Sequence, residues 1–220
     1  MPSAGTTGCV GLQDSDLKKG DEGAAFAAPS SQDQLQYFVR TYDQSLPAQL
    51  CSKLVNSFDA LEEFQERNGR GVRAGLEASA WTELDISKLS DNAFLGFFRS
   101  RISQELKRYN ADVNLDIAVP DSSLLSPLIL KRYRSGNDER FQTHFDSVNG
   151  VCDRYLVFLW YLNDVSEGGE TWFPGLNYGV EPRAGRLLMF PPYWMYAHQG
   201  RPPLSGDKYI LSTYLRFPQR

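Results

Sequence analysis

At 220 residues and 24.8 kDa the chain has the length of one compact domain with appendages, and its 41% hydrophobic and 13% aromatic content supplies a core that disordered chains lack. A formal charge of −4 argues against a binder of the nucleic-acid phosphate backbone. No run of about 18 apolar residues is present, so no membrane-spanning helix is expected.

Residues 1–30, rich in Gly, Ala, Ser and Thr, read as a flexible N-terminal tail, and 31–220 read as a single domain. Asp14, Asp16, Lys18, Lys19, Asp21 and Glu22 interrupt any apolar leader core, so no secretory signal is expected. Tyr37 to Tyr42 suit a first strand. Helical support is expected over 45–110. The first helix is capped near Ser45 and carries Leu46, Leu50, Leu54, Phe58 and Leu61. It stops before a loop at Asn68-Gly69-Arg70-Gly71, and Trp81 to Ile86 form another short strand. Asp91 caps a second helix with Phe94, Phe98, Ile102, Leu106 and Tyr109 on its buried stripe.

Beyond Pro127 strand patterns dominate, at 128–134, 141–146, 154–163, 170–173, 179–182, 186–190, 195–199 and 207–217. Tyr155 to Leu162 are apolar on both faces, which predicts a strand covered on both sides. In the last strand Lys208, Ile210, Ser212, Tyr214 and Arg216 share one face. Tyr209, Leu211, Thr213, Leu215 and Phe217 share the other. The mixed face suits a ligand pocket and the apolar face a helical layer. The fold class is therefore mainly β with supporting helices (α+β), a jelly-roll core over about 128–217. The glycine-containing segments 135–140 and 164–169 are expected to be mobile lids.

Three cysteines, Cys9, Cys51 and Cys152, are widely spaced without a CxxC pair. That argues against a disulfide framework or thiolate zinc site, and fits reduced thiols in a cytoplasmic protein. The chain has 2 histidines, His144 and His198. His144 and Asp146 are an i, i+2 pair that a strand presents on one face, and His198 on a later strand can supply a third donor. Two imidazoles and one carboxylate leave three octahedral positions open, the arrangement suited to non-haem Fe(II). Asp153 and Glu170 are possible fourth ligands. Lys208, on the pocket face, suits an anion such as the distal carboxylate of 2-oxoglutarate. Arg216 is a rival anchor about 26 Å further along the strand at about 3.3 Å per residue. Residues 1–126 carry 12 basic and 18 acidic side chains against 11 and 9 in 127–220, so the second half suits a small anionic cosubstrate.

These residues stand in an ordered set: Tyr133-Arg134-Ser135-Gly136, Phe141 to Asp146, Tyr161-Leu162-Asn163, Gly168-Gly169-Glu170-Thr171, Phe173-Pro174, Gly185 to Phe190, His198 and Lys208. The set resembles the Fe(II)- and 2-oxoglutarate-dependent dioxygenases, in particular their prolyl 4-hydroxylase-like branch. The resemblance covers about 128–217 and implies a double-stranded β-helix. It implies His144, Asp146 and His198 as iron ligands and Lys208 as partner of the 2-oxoglutarate C5 carboxylate, with Tyr133 and Thr171 also holding this cosubstrate. The interval from Gly136 to Phe141 is about two residues longer than the compact family form, so Asn137 to Arg140 are expected to form a bulge or lengthened turn. The implied reaction uses Fe(II), 2-oxoglutarate and O2, with ascorbate as supporting reductant. It hydroxylates an unactivated C–H bond and releases succinate and CO2. Asp146 favours hydroxylation over halogenation, because related halogenases carry a small residue there.

For the substrate, a prolyl residue in a peptide or protein leads by association with the family, and a free amino acid or small natural product is the alternative. Trp172, Tyr193, Trp194, Met195 and Tyr196 flank the expected pocket, either as an aromatic wall or as barrel-rim packing, and Arg134, Arg140 and Arg201 read either as contacts for a substrate carboxylate or as solvated surface charges. Two other classes stay open: a metal-binding barrel without oxygenase activity, and a peptide-binding module with a structural metal. Neither a nucleic-acid nor a membrane partner is expected, and the sequence leaves oligomeric state open.

Overall fold

The computed structural model describes residues 30–218. The expected tail thus lies, but for Ser30, outside the described residues, as does Cys9. In chain order the elements are α1 (Ser31–Gln36), β1 (Arg40–Tyr42), α2 (Ala48–Ala60), β2 (Glu66–Gly69), β3 (Ala80–Asp85), α3 (Asn92–Val113), β4 (Ile129–Tyr133) and β5 (Phe141–His144). There follow β6 (Arg154–Tyr161), β7 (Thr171–Phe173), β8 (Tyr178–Val180), β9 (Leu187–Phe190), β10 (His198–Gly200) and β11 (Lys208–Arg216).

The strands form two antiparallel sheets. The larger runs β1-β9-β6-β11-β4-β3-β2 and the smaller β5-β10-β7-β8, giving the expected jelly-roll core. Alternation along β6 explains the layers. Leu156, Phe158 and Trp160 enter an apolar cluster with Phe58 of α2 and Phe98, Ile102 and Leu106 of α3. Val157, Leu159 and Tyr161 point the other way, into a second cluster with Phe173, Val180 and Phe190. Each fully buried side chain of this size contributes about 1.5–3 kcal/mol, so both faces of β6 fasten the sheet between its two covers. β11 obeys the same parity: Leu211 and Leu215 face the helices, whereas Ile210 and Tyr214 face the smaller sheet.

Several elements depart from expectation for local reasons. Asp91 caps α3 as predicted, its Oδ1 accepting from the Phe94 N–H at 2.8 Å. Ser45 caps nothing. Pro47 occupies the N-cap position of α2, and the Ser45 hydroxyl instead accepts the buried Trp160 Nε1–H at 2.9 Å. The expected loop at Asn68-Gly69 belongs to β2, which pairs with β3 from Glu66↔Glu83 to Gly69↔Ala80. Gly69, at φ 91°, permits the chain to turn there.

The short helix α1 was not foreseen. The expected lids are tethered. Ser135 N–H donates to Asp207 Oδ1 at 2.9 Å, Ser166 and Glu167 N–H both donate to Ser205 Oγ at 3.0 Å, and Gly169 N–H donates to the Pro202 carbonyl at 3.0 Å. Among the described residues no helix is long and apolar enough to cross a membrane.

Candidate active site

His144 ends β5 and His198 begins β10, and the antiparallel register sets them directly opposite each other. Asp146 lies just past the end of β5 rather than within a strand. Its N–H donates to the Pro192 carbonyl at 3.0 Å, which turns the carboxylate back toward the histidines. His144 Nε2 is 3.4 Å from Asp146 Oδ1, and His198 Nε2 is 3.6 Å from Oδ2. One donor atom from each of the three residues lies within 4.8 Å of the others, close enough to share one metal ion.

Both imidazoles are held by the carbonyl two residues upstream: His144 Nδ1 by Gln142 at 2.8 Å, and His198 Nδ1 by Tyr196 at 3.1 Å. A carbonyl only accepts, so Nδ1 carries the proton and each Nε2 lone pair faces the shared centre. Burial, reinforced by the charge of His144, pulls His198 down to about 4, so it is a neutral ligand at neutral pH. Burial alone would raise Asp146, but His198 and His144 outweigh it and hold the carboxyl well below the usual range. Two imidazoles and one carboxylate are a donor set for a divalent transition metal with open positions.

At the other end of the cavity, Lys208 opens β11 opposite Tyr133 of β4 and is 2% exposed. Its Nζ lies 5.4 Å from the Tyr133 ring centre and 5.5 Å from that of Tyr161. No hydrogen bond or ion pair engages it among the described residues. Burial brings its pKa down to about 7, only partly opposed by Glu170. A buried ammonium that no protein carboxylate neutralises suits an anionic ligand. Thr171, which begins β7, accepts a hydrogen bond from the Tyr161 hydroxyl at 2.7 Å, leaving its own O–H to donate. Burial, with Glu83 and Asp146, pushes the Tyr133 phenol well above its ordinary value, so it too is a neutral donor.

All six predicted residues, His144, Asp146, His198, Lys208, Tyr133 and Thr171, line one cavity. Tyr133 keeps its place because the longer interval is absorbed further on, where Gly136 and Asp138 adopt left-handed conformations at φ 78° and 52°. Other expectations fail. Arg216 is gripped by Asp153, at 2.8 and 2.7 Å, so it is no rival anchor and Asp153 is no metal ligand. Glu170 also stands outside the three-residue donor group.

The expected aromatic wall of Trp172, Tyr193, Trp194, Met195 and Tyr196 does not line the cavity; Phe141, Tyr133 and Tyr214 do. Trp194 is 69% exposed, and Trp172 carries Arg201 over its ring at 4.2 Å. Arg140 pairs with Asp138 at 2.7 Å, and Arg134 does not line the cavity. The missed wall residue is Lys131. Its signal was parity, since it stands two residues before Tyr133 on the same strand face.

Residues 128–216 match the family model described as the 2OG-Fe(II) oxygenase superfamily. A putative prolyl 4-hydroxylase of Acanthamoeba polyphaga mimivirus is 35% identical over 71 residues, 29% of each chain. The chain spans between 26% and 38% of the length of the curated relatives it matches. A viral collagen prolyl hydroxylase from Paramecium Bursaria Chlorella virus-1, solved as its 2OG complex, superposes with a TM-score of 0.56 at 19% identity. The match covers 83% of this chain and 97% of that one. A prolyl hydroxylase from Trichoplax adhaerens, in complex with a hypoxia inducible factor peptide fragment, superposes at 0.63 with 17% identity, covering 84% and 86%. At these identities the superpositions establish the fold.

Proposed function

We propose that the protein is an Fe(II)- and 2-oxoglutarate-dependent hydroxylase of a prolyl residue in a peptide or protein, a reading supported by the match of residues 128–216 to the 2OG-Fe(II) oxygenase superfamily model and by the likeness to a putative prolyl 4-hydroxylase. The observation that carries the reading is one cavity with a two-His, one-carboxylate donor set at one end and a buried, unneutralised ammonium at the other. A metal-binding barrel or structural-metal module has no use for Lys208. A dicarboxylate that chelates a metal at one end and needs a cation at the other uses both.

In this reading His144, Asp146 and His198 hold Fe(II). Lys208, with Thr171 and Tyr133 as neutral donors, holds the far carboxylate of 2-oxoglutarate. When bound, iron with 2-oxoglutarate and O2 supplies the oxidising power that turns C–H into C–OH, while 2-oxoglutarate becomes succinate and CO2. The chain's own work is placement. The carbonyls of Gln142 and Tyr196 fix the imidazole tautomers, and the β4–β11 register sets Lys208 beside Tyr133. Ile210, Val157 and Leu159 add apolar surface to the cavity wall. A prolyl ring is apolar and fits a wall of Phe141 and Tyr214. The free thiols Cys51 and Cys152 accord with a reducing, cytoplasmic location.

The test is succinate release from 2-oxoglutarate with Fe(II), O2 and ascorbate, together with a mass screen of peptides and free amino acids. Succinate release should fall to background in Asp146→Ala, and proline-containing peptides should gain one oxygen on proline. Equal rates in wild type and Asp146→Ala would remove the metal assignment. Product from free amino acids alone would remove the prolyl substrate.

A further inference from the structure

A second ammonium faces the same cavity. Lys131 follows Leu130 on β4 with opposite parity, so Leu130 enters the helix-side core while Lys131 lines the site. In register it lies opposite Ile210 of β11, two residue pairs beyond the Tyr133–Lys208 pair. Further along β11 stands Tyr214, whose hydroxyl reaches Asp146 at 3.1 Å. Lys131 therefore occupies the stretch between the Lys208 end and the histidine–aspartate end.

Its Nζ rests 5.7 Å from the ring centres of both Trp81 and Phe141, and the Phe141 ring lies 3.7 Å from that of His144. No hydrogen bond or ion pair engages this ammonium among the described residues. Glu83 and Asp146 are the carboxylates whose charge favours this ammonium, and Glu83 stands in register with it across the sheet on β3. Both of its oxygens are already taken, Oε2 by Trp81 Nε1–H at 2.6 Å and Oε1 by Asn68 Nδ2–H at 2.8 Å. Ser212 Oγ, buried on the same cavity wall, also has no hydrogen-bond partner. Aromatic faces orient a cation but leave its N–H donors unused, and Lys131 lines the cavity.

We propose that Lys131 is a second carboxylate-binding cation of this cavity, separate from Lys208 and placed beside the reacting centre. Resting on the hydroxylase reading, this gives the carboxylate two sources: an acidic side chain flanking the target proline, or the metal-side carboxylate of 2-oxoglutarate. A site with one lysine at the distal end needs no such group. Its presence beside Phe141 and Trp81 makes the pocket suited to a substrate segment with an anion next to its apolar ring.

The experiment compares wild type with Lys131→Met and Lys131→Arg, each loaded with Fe(II) under argon. 2-Oxoglutarate is titrated calorimetrically, and then paired peptides with Glu or Gln beside the proline are titrated into the 2-oxoglutarate-loaded protein. If the substrate is the source, wild type binds the Glu peptide tenfold or more tighter than the Gln peptide, Lys131→Met loses that preference, and Lys131→Arg keeps most of it. If the cosubstrate is the source, Lys131→Met binds 2-oxoglutarate tenfold or more weakly and the peptide ratio stays near one. Both quantities within twofold of wild type in Lys131→Met would overturn the proposal. Should Lys131→Met fold poorly, Lys131→Gln replaces it, and the Glu/Gln ratio of the wild type needs no variant. If neither peptide binds any form, the prolyl reading fails, and an unchanged 2-oxoglutarate affinity then overturns the Lys131 role as well.

Discussion

Asp146 is the side chain on which the donor group closes, and its aim depends on neighbours that touch no metal. The Tyr214 hydroxyl donates to Oδ1 at 3.1 Å, while Arg154 lies 4.0 Å over the Tyr214 ring and donates to the Asp146 carbonyl at 3.4 Å. Burial pushes the Tyr214 phenol well above its ordinary value, so it stays a donor across the working pH range. The hydroxyl thereby fixes the orientation of the carboxylate that would hold the metal. Tyr214→Phe removes the hydroxyl without changing the ring packing. Metal affinity should fall about tenfold, with turnover recovered at saturating Fe(II). A metal titration followed by fluorescence measures the first, and succinate release the second; unchanged affinity would mean that the hydroxyl does not position Asp146.

The same residue scale explains what could be read from the chain alone. The gathering of His144, Asp146, His198 and Lys208 in one cavity was legible because metal and anion chemistry restricts residue type and, for the residues within strands, side-chain parity. Lys131 was not. A lysine in a strand ordinarily reads as a solvated charge, and its parity with Tyr133 was the one sequence signal against that; its place on the cavity wall is seen in the structure.

Strands with strict parity were readable, and irregular connections were not. β6 and β11 announce themselves because every second residue must satisfy a different layer. β2 has no such pattern: its four residues read Glu-Arg-Asn-Gly, and its pairing is set by β3. The trailing expectation for 195–199 fails similarly, because Trp194–Tyr196 form a 3-10 turn and the strand begins only at His198. One joint between elements is sharply constrained. Gly185, at φ 79°, donates its N–H to the Tyr161 carbonyl at 2.9 Å and accepts from Leu46 N–H at 3.2 Å, tying the end of β6 to the approach of α2. A Cβ there would collide with the Leu46 carbonyl. Gly185→Ala therefore combines a left-handed backbone with a backbone clash. It should cost about 2 kcal/mol or more, read as a lower urea midpoint. Loss below about 0.5 kcal/mol would show that the joint gives way easily.

On the scale of the whole molecule, the fold keeps two lysines in a cavity whose one lining carboxylate among the described residues is Asp146, and this couples ligand binding to pH. The pKa of Lys208 is about 7 in the folded chain because burial disfavours its charge, against 10.5 for an unburied lysine. Between those values the unfolded chain holds a proton that the folded chain has released, so this group makes ligand-free stability rise with pH from about 7 toward 10.5. A carboxylate beside Lys208 favours the charged ammonium and raises its pKa again.

Binding of 2-oxoglutarate therefore takes up a proton above pH 7 and none well below it. Affinity should be flat from pH 6 to 7 and then weaken by up to about tenfold per unit toward pH 9. His198, at about 4, is already neutral throughout that range and does not contribute. Lys208→Arg keeps its charge at every accessible pH and should bind with a nearly flat profile. Calorimetry of the Fe(II)-loaded protein under argon in two buffers of different ionisation enthalpy reads the proton uptake directly. A slope of equal size in wild type and Lys208→Arg would place the titrating group elsewhere and remove Lys208 as the partner of the cosubstrate carboxylate.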